Sequence, residues 1–159
     1  MPEQFINPFI SIIMTMARVS TYLNFKRNTE EAFTFYKSVF GTEFEGEGFN
    51  RFSQIPPHEG MTETPAEDLN LVMHVSLPIL GGHRLMGTDS PESMGFQLKE
   101  GNNVSINLEP DSREETDRLY AALSDGGTAS IPPQEMFWGA YFGACVDKYG
   151  INWMFNCAN

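Results

Sequence analysis

The chain has 159 residues and a formal net charge of −11, with 10 Lys and Arg against 21 Asp and Glu, which fits one domain of ordinary size or two very small ones fused. With 41% apolar, 13% aromatic and only 19% charged residues, it is neither wholly disordered, nor a coiled coil, nor collagen-like. Its acidic balance repels phosphate backbones and anionic lipid, so no nucleic acid and no membrane is expected as a partner.

Taken in chain order, residues 1–18 form an N-terminal extension around the apolar run Phe9-Ile10-Ser11-Ile12-Ile13-Met14-Thr15-Met16. That run is too short to span a bilayer. With Glu3 present and no Lys or Arg before Arg18, it does not read as a signal peptide either. It is either an added strand or an extension ahead of a more natural start at Met16, and the second reading is preferred. A strand follows in Val19-Ser20-Thr21-Tyr22-Leu23-Asn24-Phe25, then a helix start at Asn28 with Glu31 three residues on. The helix carries an apolar stripe of Ala32, Phe33, Tyr36, Val39 and Phe40. A second strand is predicted over 44–51. Residues 52–67, with Pro56-Pro57, Gly60 and Pro65, read as a mobile flap, because a long loop in a compact domain is more often functional than incidental. Two strands over 71–77 and 84–88 close the unit around the turn at Gly81-Gly82.

After a linker over 90–101, the same order recurs. An offset of 84 residues superposes Thr21 on Ser105, Asn28 on Ser112, Glu31 on Glu115 and Tyr36 on Tyr120. The second helix has a stripe of Thr116, Leu119, Ala122 and Leu123, and strands are predicted over 128–131, 141–146 and 152–155. At the back of each half the offset is 68, matching Gly82 with Gly150 and Met86 with Met154. The first half therefore holds about 16 extra residues, which fall in the flap. The expected fold is α+β: two βαβββ repeats, 19–90 and 91–159, forming one curved mixed sheet around a central cleft with the helices outside. The two cysteines, Cys145 and Cys157, lack metal-type spacing and read as reduced, core-packed thiols of a cytoplasmic protein.

Several stretches carry a family likeness. Phe35-Tyr36-Lys37-Ser38-Val39-Phe40-Gly41 fits the helix end of the vicinal oxygen chelate superfamily. That superfamily includes glyoxalase I, fosfomycin- and bleomycin-resistance proteins and extradiol dioxygenases. Tyr22-Leu23-Asn24-Phe25, Gly101-Asn102-Asn103-Val104-Ser105-Ile106, and Met136-Phe137-Trp138-Gly139 running on to Asp147-Lys148-Tyr149-Gly150-Ile151-Asn152-Trp153 most resemble its PhnB-like branch, often labelled 3-demethylubiquinone-9 3-methyltransferase-like. The likeness covers about residues 19–157.

The resemblance implies a cleft in which catalytic members hold one divalent metal on the first and last strands of each half. Carried onto this chain, those positions are Thr21, Ser105, Met86 and Met154, with neither carboxylate nor imidazole among them. Thioethers favour soft ions and neutral hydroxyls hold divalent ions feebly, so no metal and no cofactor is expected. The paired methionines suggest an adaptable apolar floor. By strand alternation the cleft-facing set is Thr21, Leu23, Val75, Met86, Thr88, Ser105, Asn107 and Met154, with Trp138 placed to cover the opening. This suits a small, partly apolar, uncharged or cationic ligand.

His74 is the remaining chemical candidate. A two-residue turn at Gly81-Gly82 sets it opposite Asp89, and a four-residue turn pairs Val75 with Met86. Either way His74 faces away from Met86, as a structural residue beneath the helices hydrogen-bonded to Asp89. His58 and His83 read as solvated. Neither glycine pair, Gly81-Gly82 or Gly126-Gly127, has the lysine or helix context of a phosphate loop, and no Gly-x-Gly-x-x-Gly follows a strand, so the methyltransferase label finds no support. The favoured reading is a metal-free small-molecule-binding homodimer. The alternatives are a metal-dependent lyase, isomerase or dioxygenase with a displaced site, and a non-catalytic homodimeric interaction protein.

Overall fold

The computed structural model describes residues 16–158. The predicted extension therefore lies outside the described residues except for 16–18. The first half contains β1 (Thr21–Phe25), α1 (Thr29–Phe40), β2 (Asn50–Arg51), β3 (Val72–Pro78) and β4 (Arg84–Asp89). The second contains β5 (Ile106–Leu108), α2 (Arg113–Ser124), β6 (Thr128–Glu135), β7 (Tyr141–Val146) and β8 (Asn152–Cys157). The sheets have the orders β1-β4-β3-β2 and β5-β8-β7-β6. In each, the first strand lies parallel to the last and the remaining neighbours are antiparallel. The chain is an α+β protein built from two βαβββ units.

Each helix covers one face of its sheet. Ala32, Phe33, Tyr36 and Val39 of α1 are buried, as are Thr116, Leu119 and Leu123 of α2, so the apolar spacing selects the packed side. Gly87 lets α1 approach closely: a Cβ there would stand 2.4 Å from Phe33 Cε2. One continuous core joins the halves, with Tyr36 and Trp153 in edge-to-face contact at its centre. The Asp147 carboxylate accepts hydrogen bonds from Tyr36 Oη at 2.6 Å and Trp153 Nε1 at 2.8 Å, and from the amides of Tyr149 and Ile151.

The second strands depart from expectation. Only Asn50–Arg51 of the predicted 44–51 strand is regular, because Gly46 and Gly48 take positive φ of 60° and 84° and turn the chain. Conversely, β6 continues to Glu135 through Pro132-Pro133. It is an edge strand whose register shifts there, so the prolines remove no interior ladder bond. The flap holds single helical turns at Phe52–Gln54 and Ala66–Asp68. Its base is tied down by the Asp68 carboxylate, which accepts from Arg27 Nη1 at 2.7 Å and Ser93 Oγ at 2.6 Å.

Candidate ligand site on the open face of the sheets

The face of each sheet away from its helix is set by the hairpin before the last strand. Pro78 pairs with Arg84 and Val146 with Asn152, so each turn spans five residues, 79–83 and 147–151. Neither the two-residue nor the four-residue turn considered above has this parity. Ser76 therefore lies beside Met86, and Tyr22 beside Met86 on the other side. In the second half Ala144 and Asn107 flank Met154 in the same way. Two equivalent rows result, Tyr22–Met86–Ser76 and Asn107–Met154–Ala144, both on the open face.

Since Tyr22 corresponds to Asn107, the first strands superpose at an offset of 85, whereas the helices, starting at Thr29 and Arg113, keep 84. Counted from Tyr22 and Asn107, the path to the helix start is one residue shorter in the second half, and a one-residue change flips every side chain. The parity assigned to three residues is corrected accordingly. Thr21, Leu23 and Val75 turn to the helix face; Leu23 and Val75 are buried, and Thr21 Oγ1 bonds His83 Nε2 at 2.8 Å. His83 is thus bonded and half-buried rather than solvated. Met86, Thr88, Asn107 and Met154 keep the open face, and Ser105 joins them by alternation with Asn107.

His74 is also corrected. It lies two residues before Ser76, on the open face, and its Nδ1 is hydrogen-bonded to Tyr22 Oη at 3.2 Å across β4. Asp89 points the other way, where its carboxylate accepts from the Thr29 amide and hydroxyl and from the Val72 amide. Burial holds the Tyr22 phenol above its ordinary pKa, so it remains protonated through the physiological range. The charged side chains Arg84 and Glu45 at one end of this face are paired at 2.6 Å, and Glu45 also accepts from Ser76 Oγ. Trp138 is 53% exposed in the β6–β7 turn, with its ring against Phe137 and Phe142. Phe142 shares the open face with Met154, so Trp138 stands at its rim.

One cavity lies at the seam between the halves and another within the flap. The first, of about 270 Å³, runs along β1 and is closed by Glu100, Val104, Ile106 and Tyr149. The second, of about 370 Å³, is lined by Phe52, Ile55, Pro57, His58 and Met61. Tyr22 and His74 escaped sequence reasoning as a pair because their approach depends on the turn length. The donors do not suit a divalent ion. The open-face rows offer two thioethers, a phenol, a hydroxyl and an amide, and among the described residues no three His, Cys, Asp or Glu side chains gather.

Residues 17–155 match the family described as 3-demethylubiquinone-9 3-methyltransferase. The chain belongs to this family. It is similar to protein PA1353 of Pseudomonas aeruginosa, with 32% identity, a TM-score of 0.75, and 89% of this chain and 98% of that one covered. A PhnB protein of Bacillus cereus shares the fold at 24% identity and a TM-score of 0.68, covering 89% of this chain and all of that one. Protein YjdN of Escherichia coli strain K12 is 24% identical over 143 residues, 87% of this chain and 93% of YjdN. Among the described residues, no helix is long and apolar enough to cross a membrane.

Proposed function

We propose that this PhnB-like protein binds a small, partly apolar molecule on the open face of its paired sheets, without a metal, as a cytoplasmic homodimer. The observation that carries the reading is the doubled row. At the same register position in each half a methionine occupies the middle of a face with few charges, flanked by Tyr22 and Ser76 in the first half and by Asn107 and Ala144 in the second. Thioethers conform to varied apolar shapes, while the flanking hydroxyl and amide groups orient a ligand. The methyltransferase in the family's description gains no physical support here. The connection from β1 to α1 is Lys26-Arg27-Asn28, without the glycines that would cradle a nucleotide-like cofactor. Exposed Phe137, Trp138 and Val104 supply apolar surface for a second copy.

The test is a thermal-melting panel of uncharged and cationic metabolites and drugs, run beside elemental analysis and light scattering of the purified protein. The expected result is a dimer without stoichiometric metal and with an upward melting shift for one chemical class. Substituting Met86 and Met154 by Ala should remove that shift. His74 on the open face favours a second reading, an enzyme with a displaced metal site, and one divalent ion per chain would install it. A dimer that no compound stabilises would leave the interaction-protein reading.

A further inference from the structure

The flap belongs to the first half alone. From β2 to β3 the chain runs through residues 52–71, whereas β6 reaches β7 through residues 136–140 only. The second half builds the same βαβββ unit without such an excursion, so the fold does not require the cavity that the flap encloses. That cavity is nevertheless held in shape. The Phe52 and Ser53 amides donate to the Leu71 and Leu69 carbonyls at 3.1 and 2.9 Å and close its base. Gly60, with a φ of 81°, turns the chain so that the Met61 amide donates to the His58 carbonyl at 3.1 Å. Buried Phe52, with Ile55, Pro57, Met61 and Leu69, supplies apolar walls.

The polar part of the lining is one-sided. Glu63 borders the cavity and has no ion-pair partner among the described residues. Residues 52–69 contain no Lys or Arg. The two arginines that brace the base are already engaged, Arg27 with Asp68 at 2.7 Å and Arg51 with Glu30 at 2.8 Å. The Pro56 carbonyl can only accept, so His58 Nδ1 donates to it at 3.2 Å and the neutral ring has no other proton to give. Ser53 and Thr64 bring hydroxyls, which accept as readily as they donate. An apolar space is thus bordered by a carboxylate and further acceptors, with no cation among its lining residues. An anion would meet the Glu63 charge on a chain of net charge −11. A neutral apolar molecule would leave that carboxylate unpaired. A protonated amine on an apolar body satisfies both the walls and the charge.

We infer that the flap cavity is a binding site for a small apolar ammonium, its body among Phe52, Ile55 and Met61 and its charged nitrogen on the Glu63 carboxylate. The site is separate from the open face, since neither methionine row lines it, and it goes beyond the function proposed above. A volume of about 370 Å³ lies at the lower end of the range for small-molecule sites and suits one ring on a short chain. The test uses phenethylamine, phenethyl alcohol and phenylpropionate, which share a ring and a two-carbon chain and end in a cation, a neutral hydroxyl and an anion. Each is titrated into the full-length protein at about pH 7, where an alkylammonium keeps its charge, while the methyl resonances of Met61, Met86 and Met154 are followed.

Phenethylamine should move the Met61 methyl and bind at least about threefold more tightly than the alcohol, with the carboxylate weakest, as expected for one added ion pair. Glu63→Gln should bring the amine-to-alcohol ratio to about one while leaving alcohol affinity within about twofold. Glu59→Gln, which removes the same charge from a flap acid that does not line the cavity, should leave the ratio unchanged. Equal affinities for the three probes, or equal effects of the two substitutions, would assign any preference to the overall acidity and overturn the inference. So would a Met61 methyl that no probe moves. An amine that shifts Met86 and Met154 but not Met61 overturns it too, while supporting the open face as the ligand site.

Discussion

Gly87 shows how one side chain, or its absence, fixes a contact. Its Cα lies opposite Val75 and Leu23 on the helix face, and a Cβ would stand 2.4 Å from Phe33 Cε2 and 3.1 Å from Thr29 Cγ2. The second half has the reverse arrangement at this register, with Gly143 beside Phe155, so bulk and void exchange strands while the layer stays filled. Gly87→Ala should lower stability by about 1–3 kcal/mol through overpacking, read as a lower urea midpoint. Phe33→Leu in that background should recover part of the loss, whereas a simple propensity effect would not respond. The cysteines behave differently. Cys145 and Cys157 are buried and not joined in a disulfide, and burial, with the Asp147 charge second, pushes the Cys145 thiol up to about 12. Native protein should therefore react negligibly with Ellman's reagent at about pH 8, the ordinary range for thiol ionisation, and both thiols should react once denaturant is added. Burial and the Glu31 hydrogen bond likewise raise Tyr149 to about 12. Both groups keep their protons longer when folded than when unfolded. Their contribution is complete below the unfolded thiol pKa of about 8.5 and is lost as pH climbs toward 12. An alkaline titration of the melting temperature should fall across that window.

At the scale of elements, the helix starts separate what was readable from what was not. Both halves carry a polar residue followed three positions later by glutamate, and both start a helix where that pattern places it. Yet only Ser112 caps with its side chain, accepting from the Glu115 amide at 3.1 Å. Asn28 makes no such bond; the Thr29 amide is satisfied instead by Asp89, 60 residues away on β4. Ser112→Ala should therefore cost about 1 kcal/mol and Asn28→Ala a few tenths at most, measured by chemical denaturation. Equal losses would show that the two ends are capped alike. The same division runs through the site. The repeat, the helices and most strands were legible because caps, apolar periodicity and turn glycines are local signals. The side on which a residue lands was not, since it depends on counting residues between elements. A five-residue turn and a connection shortened by one residue sufficed to move His74 and Tyr22 to the open face and Leu23 and Val75 away from it. The Asp89 cap was invisible for a related reason, as its partners come from α1 and β3.

At the scale of the whole molecule, two units that each bury a helix on four strands must still be held as one. Asp147 provides a polar tie at this junction: its carboxylate lies in the turn of the second half and accepts the Tyr36 hydroxyl of the first, beside the buried Trp153 indole. The Tyr36 phenol is kept well above its ordinary pKa, by burial first and by that carboxylate second. Around it, Arg118 of α2 donates to the Val39 carbonyl of α1, and the Lys148 ammonium sits 4.5 Å from the Phe35 ring. Tyr36→Phe should remove one charge-assisted hydrogen bond, worth about 1.5–3 kcal/mol. Asp147→Ala should cost more, about 3–5 kcal/mol, because it strands buried donors from both halves. The two losses should be less than additive, since the partners share a bond. The tryptophans make the consequence for cooperativity visible. Trp153 is fully buried on this junction and Trp138 is 53% exposed at a distant turn, so a Trp138→Phe background leaves Trp153 fluorescence as a reporter of the junction alone. In that background the fluorescence transition should coincide with loss of circular dichroism when Asp147 is present. It should precede that loss in Asp147→Ala, if the carboxylate is what couples the halves. Coincident transitions in both proteins would assign the coupling to the shared apolar core instead.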